Sequence, residues 1–237
     1  MIPLYDNVPR VHPPYAVLGI IILNVLAFLY ELSLPPQDQM LFFHLFGVVP
    51  ARFSDPQWAM HAGYPDATLW PLFTYMFLHG GWLHLIMNMW MLWIFADNIE
   101  DVTGHWRFVG FYLCCGLVAV ALHVLFNQDS PLPIVGASGA IAGTLGAYLV
   151  LYPHGRVATL VLIFIFYFRA SLFLVVWFAL QIVSGIEQGS AGQIAGVAWW
   201  AHVGGFVAGM VLIRVFRLKD RCYYCYDARL RRYDLAD

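Results

Sequence analysis

Residues 134–152 read IVGASGAIAGTLGAYLVLY. The run has no charged side chain, and an apolar run of this length is typical of a helix that crosses a lipid bilayer. Its glycines, at Gly139, Gly143 and Gly146, form a stripe of small residues that lets a second helix approach closely. The run therefore predicts a membrane-spanning helix over residues 137–152 that packs against a neighbouring helix.

The composition of the whole chain extends this prediction. Of 237 residues, 61% are hydrophobic and only 11% are charged, whereas an ordinary soluble domain has about 25% charged residues. A soluble globular protein is therefore excluded. The predicted fold class is an all-α polytopic membrane protein, a bundle of six transmembrane helices of roughly 20 residues each. The predicted spans are residues 15–34, 82–96, 106–126, 137–152, a fifth that starts near residue 170, and 197–216.

Two intervals between these spans need a separate interpretation. Residues 35–81 contain apolar patches too short to cross a bilayer, interrupted by prolines and charges, and we expect a long first loop that is partly embedded in the membrane. An arginine at mid-membrane costs several kcal/mol, so Arg169 is placed at the cytoplasmic interface and residues 157–168 become an interfacial segment. The chain then divides into a cytoplasmic N-terminal tail (1–14), a six-span domain (15–217) and a basic cytoplasmic C-terminal tail (218–237).

The positive charges give the expected orientation. With six spans, eleven of the twelve Lys and Arg residues fall on one side of the membrane and only Arg52 falls on the other, so the first side is cytoplasmic by the positive-inside rule. Both termini are then cytoplasmic, and spans two, four and six start at the outer side. We expect an integral protein of the cell (inner) membrane, in contact with the lipid bilayer. No nucleic-acid partner is expected, since the chain lacks a basic groove with interleaved aromatic residues.

The cysteines and histidines do not form a metal motif. Cys222 and Cys225 have the spacing of half a zinc site, but no other Cys or His follows residue 214, and a structural zinc site needs four ligands. We interpret them as a reduced surface pair or as a bridge between two copies. The adjacent Cys114 and Cys115 do not indicate a disulfide framework either. The chain has no His-Glu-x-x-His motif, and no metal or other cofactor is expected.

Polar residues inside membrane spans are costly, and the first cluster of them lies at the start of span four. Ser138 stands between Gly136 and Gly139. At a helix N-terminus its hydroxyl is next to free backbone N–H groups, which could hold a developing oxyanion if the serine acted as a nucleophile. The alternative is that Ser138 is an N-cap and that the glycines serve helix packing.

A second cluster lies on span six. His202, Gly205 and Gly209 share one helical face, so the histidine points into a surface that another backbone approaches closely. If the glycine stripe of span four is that neighbour, the imidazole of His202 comes within hydrogen-bond reach of Ser138 and can accept its proton. A histidine in a membrane helix can equally be a buried hydrogen-bond partner across helices.

The third cluster is on span two, where His84 and Asn88 are four residues apart and therefore share a face. Both side chains can donate hydrogen bonds, and with the backbone N–H of Ser138 they could form an oxyanion hole. They could also join helices by hydrogen bonds, which is a common use of both residue types in membranes. His79 lies off that face, and we interpret it as a structural residue.

The ordered set of these motifs resembles the rhomboid family of intramembrane serine proteases. The set consists of His-x-x-x-Asn at residues 84–88, Gly-x-Ser-Gly at residues 136–139 and Ala-His-x-x-Gly-x-x-x-Gly at residues 201–209. Matching stretches also occur at residues 77–84, 100–108 and 136–141. The resemblance covers nearly the whole chain from residue 15 to about residue 216.

The resemblance implies a catalytic dyad, with Ser138 as nucleophile and His202 as base and with no acidic third member. It implies His84 and Asn88 as oxyanion residues, and a short fourth helix that leaves the serine below the membrane surface. The expected function is an intramembrane serine endopeptidase that cuts a peptide bond in or beside the outer end of a transmembrane helix. Its partners would be single-span or polytopic membrane-protein substrates, and it would need no cofactor.

Two departures from the family pattern keep other hypotheses open. Members often have an aromatic residue four positions after the serine, where it stacks on the histidine, but this chain has Ala142. The tail from residue 221 to residue 237 has no family counterpart. The alternative is a rhomboid-like pseudoprotease that binds transmembrane helices without cutting them, although such proteins usually lack the serine or the histidine. A small-solute transporter is a third hypothesis, because intramembrane polar residues can mark a pathway.

Overall fold

The computed structural model describes residues 2–64, 68–190, 197–221, 224–227, 230 and 232–235. The described residues form ten α-helices and five short strands. In chain order these are β1 (Ile2–Asp6), α1 (Tyr15–Ser33), α2 (Pro36–Phe46), α3 (Pro50–Ser54), α4 (Pro56–His61), α5 (Pro71–Thr74), α6 (Trp82–Thr103), α7 (His105–Phe126), α8 (Ser138–Leu151), β2 (Arg156–Val161), β3 (Phe164–Arg169), α9 (Ala170–Ser190), α10 (Trp199–Phe216), β4 (Tyr224–Asp227) and β5 (Arg232–Leu235). One turn of 3-10 helix, Tyr75–Phe77, follows α5.

The chain is a mostly helical membrane protein. Four of its helices, α1, α7, α9 and α10, are long and apolar enough to cross a bilayer. Helix α8 is apolar but has only 14 residues, in line with the short fourth helix that we expected. Helix α6 has 22 residues and runs past its predicted end at residue 96. Its last turns carry the buried carboxylates of Glu100 and Asp101, which accept backbone N–H groups of the N-terminal segment and of the first turn of α1.

The prediction of a long loop over residues 35–81 needs correction, because this segment contains the four short helices α2 to α5. Each of them begins with a proline, at Pro36, Pro50, Pro56 and Pro71. Proline is favoured at the first helical position, since its fixed φ suits the helix and its missing N–H would have no partner there. The prolines that we interpreted as interruptions therefore start helices.

Residues 157–168, expected as an interfacial segment, form most of a β-hairpin. Strands β2 and β3 pair antiparallel, with Arg156 opposite Arg169, and Leu162 at the turn has a φ of +57°. The β-branched and aromatic residues of this run favour strands over helix. Strand β1 pairs with the other edge of β2, so part of the predicted N-terminal tail belongs to a three-stranded sheet.

The N-terminal segment, the β2–β3 hairpin and the C-terminal tail lie at one end of the helix bundle. Asp6 on β1 accepts a hydrogen bond from the hydroxyl of Tyr148, near the C-terminus of α8, and burial raises the pKa of this carboxyl to about 7. The N–H of Leu218 donates to the carbonyl of Val102, at the end of α6, at 2.9 Å. In the tail, β4 pairs with β5. The N-termini of α6, α8 and α10 therefore lie at the opposite end.

Helix α8 is the centre of the bundle. Its residues from Gly139 to Tyr148 are all buried, and it contacts α6, α7, α9 and α10. A Cβ on Gly205 of α10 would overlap the carbonyl oxygen of Gly139, and one on Gly209 would overlap that of Gly143. Helices α8 and α10 therefore meet backbone to backbone, as the two glycine stripes predicted.

Glu100 on α6 stabilises the start of α1. Its carboxylate accepts the backbone N–H groups of Ala16 and Val17 at 2.8 and 2.7 Å, where the N-cap residue Pro14 forms no side-chain cap. Glu100→Ala leaves a buried N–H at Val17 and a part-buried N–H at Ala16 without this acceptor, and we expect the free energy of unfolding to fall by about 2–4 kcal/mol. Thermal unfolding in detergent measures this loss. The matched control is Glu187→Ala, at an exposed position of α9, and equal unfolding midpoints for the two variants would refute the capping role.

Candidate active site

Ser138 is the first residue of α8, and the loop before it fixes its position. The N-cap is Ala137, without a side-chain cap, so the alternative in which Ser138 is the N-cap is wrong by one residue. Gly136 has a φ of +129°, which other residues rarely adopt, and a Cβ there would lie 2.8 Å from the imidazole of His84. Its N–H donates to the carbonyl of Tyr75 at 2.8 Å. The loop therefore requires glycine at position 136.

A hydrogen bond joins Ser138 to His202. The serine Oγ lies 2.8 Å from Nε2 of the imidazole, and His202, in the first turn of α10, is only 7% exposed. Ser138 and His202 are thus within hydrogen-bond distance of each other, as we predicted. The contact between Gly205 and Gly139 brings the first turns of α8 and α10 side by side. A serine hydroxyl hydrogen-bonded to a buried imidazole is a geometry in which the imidazole can take up the serine proton.

The second ring nitrogen of His202 has a partner that the sequence analysis missed. Its Nδ1 lies 2.7 Å from Oε1 of Gln181, a buried residue of α9. The rings of Trp177 and Trp199 also flank the imidazole, each with its centroid at 6.0 Å. The aromatic contact that the resemblance led us to expect at the position of Ala142 is supplied instead by Trp177 of α9 and Trp199 of α10. The signal for Gln181 was a long polar side chain within an apolar run.

Asn88 on α6 lines the same cavity as Ser138 and His202. Its Nδ2 lies 2.9 Å from Nε2 of His79, and since an amide nitrogen carries two hydrogens, one of them can still donate to a ligand. The backbone N–H of His79 donates to the carboxylate of Glu31 on α1 at 3.2 Å. His79, which we interpreted as structural, therefore ties Asn88 to α1.

His84 lies behind Asn88, against the loop that leads to Ser138. Its ring packs edge-on against His79, with the centroids 5.1 Å apart, and it faces Gly136. His84 is not among the described residues that line the cavity. The structure thus brings Asn88 to the cavity with Ser138 and His202, and places His84 against the loop before the serine.

The cavity that holds these groups has a volume of about 430 Å³. Apolar side chains of α6 and α9, among them Met87, Met91 and Phe173, form much of its wall. Pro3 of β1 also lines it, and the carbonyl of Pro3 accepts a hydrogen bond from Nε1 of Trp90 at 2.6 Å. A few polar groups thus converge in a mostly apolar pocket, which is the usual chemistry of a ligand site.

The described cysteines lie outside this site. Cys114 and Cys115 on α7 are free thiols. Cys222 and the side chain of Cys225 fall outside the described residues, so the interpretation of that pair stays a prediction. Within the part of the chain that the structure describes, no group of three or more His, Cys, Asp or Glu side chains could hold a metal ion.

Known proteins are similar to this chain in sequence. The family model of the Rhomboid domain matches residues 66–219. RHOMBOID-like protein 1 of Arabidopsis thaliana is 33% identical over 156 residues, which cover 66% of this chain and 36% of that protein. RHOMBOID-like protein 5 of the same plant is 32% identical over 162 residues, which cover 65% of this chain and 46% of that protein. The presenilin-associated rhomboid-like protein, mitochondrial, of Mus musculus is 30% identical over 145 residues, which cover 59% of this chain and 36% of that protein. The matched region spans less than half of each relative.

Proposed function

The chain belongs to the rhomboid family, and on that premise we propose that it is an intramembrane serine endopeptidase. Its proposed substrates are single-span or polytopic membrane proteins, cut in or beside the outer end of a transmembrane helix. The proposed nucleophile is Ser138 and the proposed base is His202. The observation that carries the proposal is the 2.8 Å hydrogen bond between Ser138 Oγ and His202 Nε2, buried beside an apolar cavity.

The proposed reaction is an acyl transfer to serine followed by hydrolysis. Oγ of Ser138 attacks the peptide carbonyl carbon while its proton moves to Nε2 of His202, and the imidazolium then gives that proton to the leaving amine. The oxyanion that forms lies at the N-terminus of α8, where the Ser138 N–H and the helix dipole stabilise negative charge. Asn88, which lines the cavity, is the proposed side-chain donor to it. His84, the other predicted donor, lies against Gly136 in the loop before Ser138. Water then cleaves the acyl-enzyme, with His202 again as base.

We propose that six helices, α1 and α6 to α10, cross the bilayer and that the site opens towards the outer side. The positively charged residues support this orientation. Arg107, at the start of α7, donates to the carbonyls of Val215 and Phe216 at the end of α10. Arg156 and Arg169 lie at the base of the β2–β3 hairpin, at the same end of the bundle. We therefore propose that this end is cytoplasmic by the positive-inside rule, with the N-terminal and C-terminal tails on the cytoplasmic side.

A substrate helix must open locally before it can react. Its backbone carbonyls are satisfied by its own hydrogen bonds, which are strongly favoured where no water competes. Ser138 can therefore reach a carbonyl only in a segment that has left the helical conformation. We expect Gly or Pro near the cut, because both weaken a helix, and the family resemblance also implies small residues there.

Asn88→Ala should lower the rate of peptide cleavage by roughly 10²- to 10³-fold, since it removes one oxyanion donor while the backbone N–H of Ser138 remains. The loss should appear in kcat rather than in KM. The matched control is Asn24→Ala, which removes an equally buried amide that donates to the carbonyl of Ile20, away from the cavity. An unchanged kcat in Asn88→Ala, or an equal loss in Asn24→Ala, would contradict the assignment of Asn88.

The experiment that tests the proposed function is labelling with a small fluorophosphonate probe. The purified protein in detergent is treated with the probe, and the modified peptide is identified by mass spectrometry, in the wild type and in His202→Ala. We expect label on Ser138 in the wild type and a labelling rate at least about 100-fold lower without the general base. A folded wild-type protein that takes no label, or that is labelled equally without His202, would overturn the proposed mechanism.

The pseudoprotease alternative gives a different result in the same experiment. Ala142, in place of the usual aromatic residue, is the sequence feature that favours this alternative. A non-cutting helix binder would take no label on Ser138 and would still retain transmembrane segments in a pull-down from detergent. Both Ser138 and His202 are present and hydrogen-bonded, which is why we favour the protease.

A further inference from the structure

We propose that Gln181 is a positioning residue that fixes the tautomer and orientation of His202, so that the reactive unit has three members. This inference rests on the proposed protease function, because it concerns how that site is prepared for reaction. The family resemblance implies only a dyad of Ser138 and His202. The third member comes from α9, a different helix from those that carry the other two.

The orientation of the Gln181 amide is set by a hydrogen bond within its own helix. Its Nε2 lies 3.1 Å from the backbone carbonyl of Trp177, one turn earlier on α9. A carbonyl oxygen can only accept hydrogen bonds, so the amide nitrogen must face it. Rotating the amide by 180° would set two acceptors against each other in a buried place. Oε1 of Gln181 therefore faces His202.

The position of the imidazole proton follows from this orientation. Oε1 of Gln181 lies 2.7 Å from Nδ1 of His202, and an amide oxygen is an acceptor without a hydrogen of its own. This contact is a hydrogen bond only if Nδ1 carries the proton. In the neutral imidazole the lone pair is then on Nε2, the atom that faces Ser138 Oγ at 2.8 Å. Gln181 thus selects the tautomer that can accept the serine proton.

An uncharged acceptor suits the buried position beside His202. Gln181 is 6% exposed and His202 is 7% exposed, and a carboxylate buried in such surroundings carries a large desolvation cost. An amide oxygen gives the same directional contact without that cost, and its dipole still favours the imidazolium that forms during attack. Trp177 lies one turn before Gln181 and flanks the ring. Helix α9 therefore supplies both the hydrogen bond and an aromatic contact.

The test compares two substitutions of Gln181. Gln181→Met keeps the length of the side chain but removes the acceptor oxygen. Gln181→Glu, as the neutral acid that avoids the desolvation cost of a carboxylate, keeps a carbonyl acceptor for His202 Nδ1 and an O–H donor for the Trp177 carbonyl. We expect Gln181→Met to lower kcat by roughly 10- to 100-fold, which corresponds to the free energy of one hydrogen bond to a charged group. KM should be unchanged. Glu should retain kcat within about tenfold. The control is Gln188→Met, the same chemical change two turns further along α9 at a position that does not line the cavity.

The kinetic outcomes separate positioning from packing. A kcat that falls with Met and is kept with Glu, with Gln188→Met at the wild-type value, supports the role of Gln181. Wild-type kcat in Gln181→Met overturns it. An equal loss in both Gln181 variants also overturns it, because the acceptor would then not be what matters.

A spectroscopic measurement tests the same inference without any proteolysis. The ¹⁵N shifts of the His202 ring, assigned by difference from His202→Ala in histidine-labelled protein, distinguish a proton on Nδ1 from one on Nε2. We expect the Nδ1–H tautomer in the wild type and its loss in Gln181→Met. An Nε2–H tautomer in the wild type overturns the inference. If the fluorophosphonate probe fails to label the wild type, the proposed function fails, while this measurement still decides the tautomer.

Discussion

Ser138→Ala is expected to abolish peptide cleavage, with the rate falling by roughly 10⁴- to 10⁶-fold, the range seen when a serine nucleophile is removed from a proteolytic site. The physical reason is that the methyl group offers neither the attacking oxygen nor a proton for Nε2 of His202. The protein should remain folded, since the Oγ of Ser138 makes no cap for α8. Cleavage of a transmembrane substrate in liposomes, followed by gel and mass spectrometry, measures the loss.

His202→Ala and the double variant make this prediction sharper. Residues that act as one unit are not additive, so the double variant should be no slower than Ser138→Ala alone. The matched control is Ser171→Ala, a serine in the first turn of α9 at the other end of the bundle, which should keep the wild-type rate. Full activity in Ser138→Ala, or a further large loss in the double variant, would refute the assignment of the pair.

Gly205→Ala is the second change with a large expected effect, because it separates α10 from α8. The added Cβ would overlap the carbonyl oxygen of Gly139, so the two helices must move apart. Overpacking of this kind costs about 1–3 kcal/mol, which outweighs the gain of up to about 1 kcal/mol that alanine brings within a helix. We expect a lower midpoint of thermal unfolding. We also expect a kcat reduced by roughly 100-fold, since small displacements of a reacting group have effects of that size.

The matched control for Gly205→Ala is the same substitution at Gly19. A Cβ on Gly19, in α1, would meet nothing within 4 Å, so this variant should be as stable as the wild type or slightly more stable. Its kcat should match the wild type, and its unfolding midpoint should be equal to that of the wild type or slightly higher. If Gly205→Ala behaves like Gly19→Ala, the close packing of α8 on α10 is not what holds Ser138 against His202.

The apolar helices could be predicted from the sequence, while the segments between them could not. Long uncharged runs mark membrane helices with little ambiguity, and the starts at Tyr15 and Trp82 agree with the structure. In residues 35–81 the prolines have two opposite meanings, since proline ends a helix in its interior but begins one at its first position. For the run 157–168, its apolarity and the cost of Arg169 at mid-membrane predict an interfacial segment, whereas its β-branched and aromatic residues favour the strands that form.

In the candidate site, too, some contacts could be predicted from the sequence and others could not. Ser138 and His202 could be paired from sequence because each stands on a stripe of glycines, and the two stripes must face a close neighbour. Gln181 could not be assigned to His202, because the two residues lie on different helices and no periodicity relates their positions. The link from His79 to Asn88 was missed for a similar reason. Their spacing of nine residues crosses the start of α6 at Trp82, so helical geometry does not apply to it.

The most direct test of the central claim is cleavage by the purified wild-type protein in liposomes that contain a single-span substrate with a Gly or Pro near its outer end. The products are sequenced, and the same liposomes with Ser138→Ala serve as the reference. We predict one cut in or beside the outer end of the transmembrane segment, absent with Ser138→Ala. A wild-type protein that retains the substrate helix but leaves it intact, or a cut that persists in Ser138→Ala, would contradict the proposed protease.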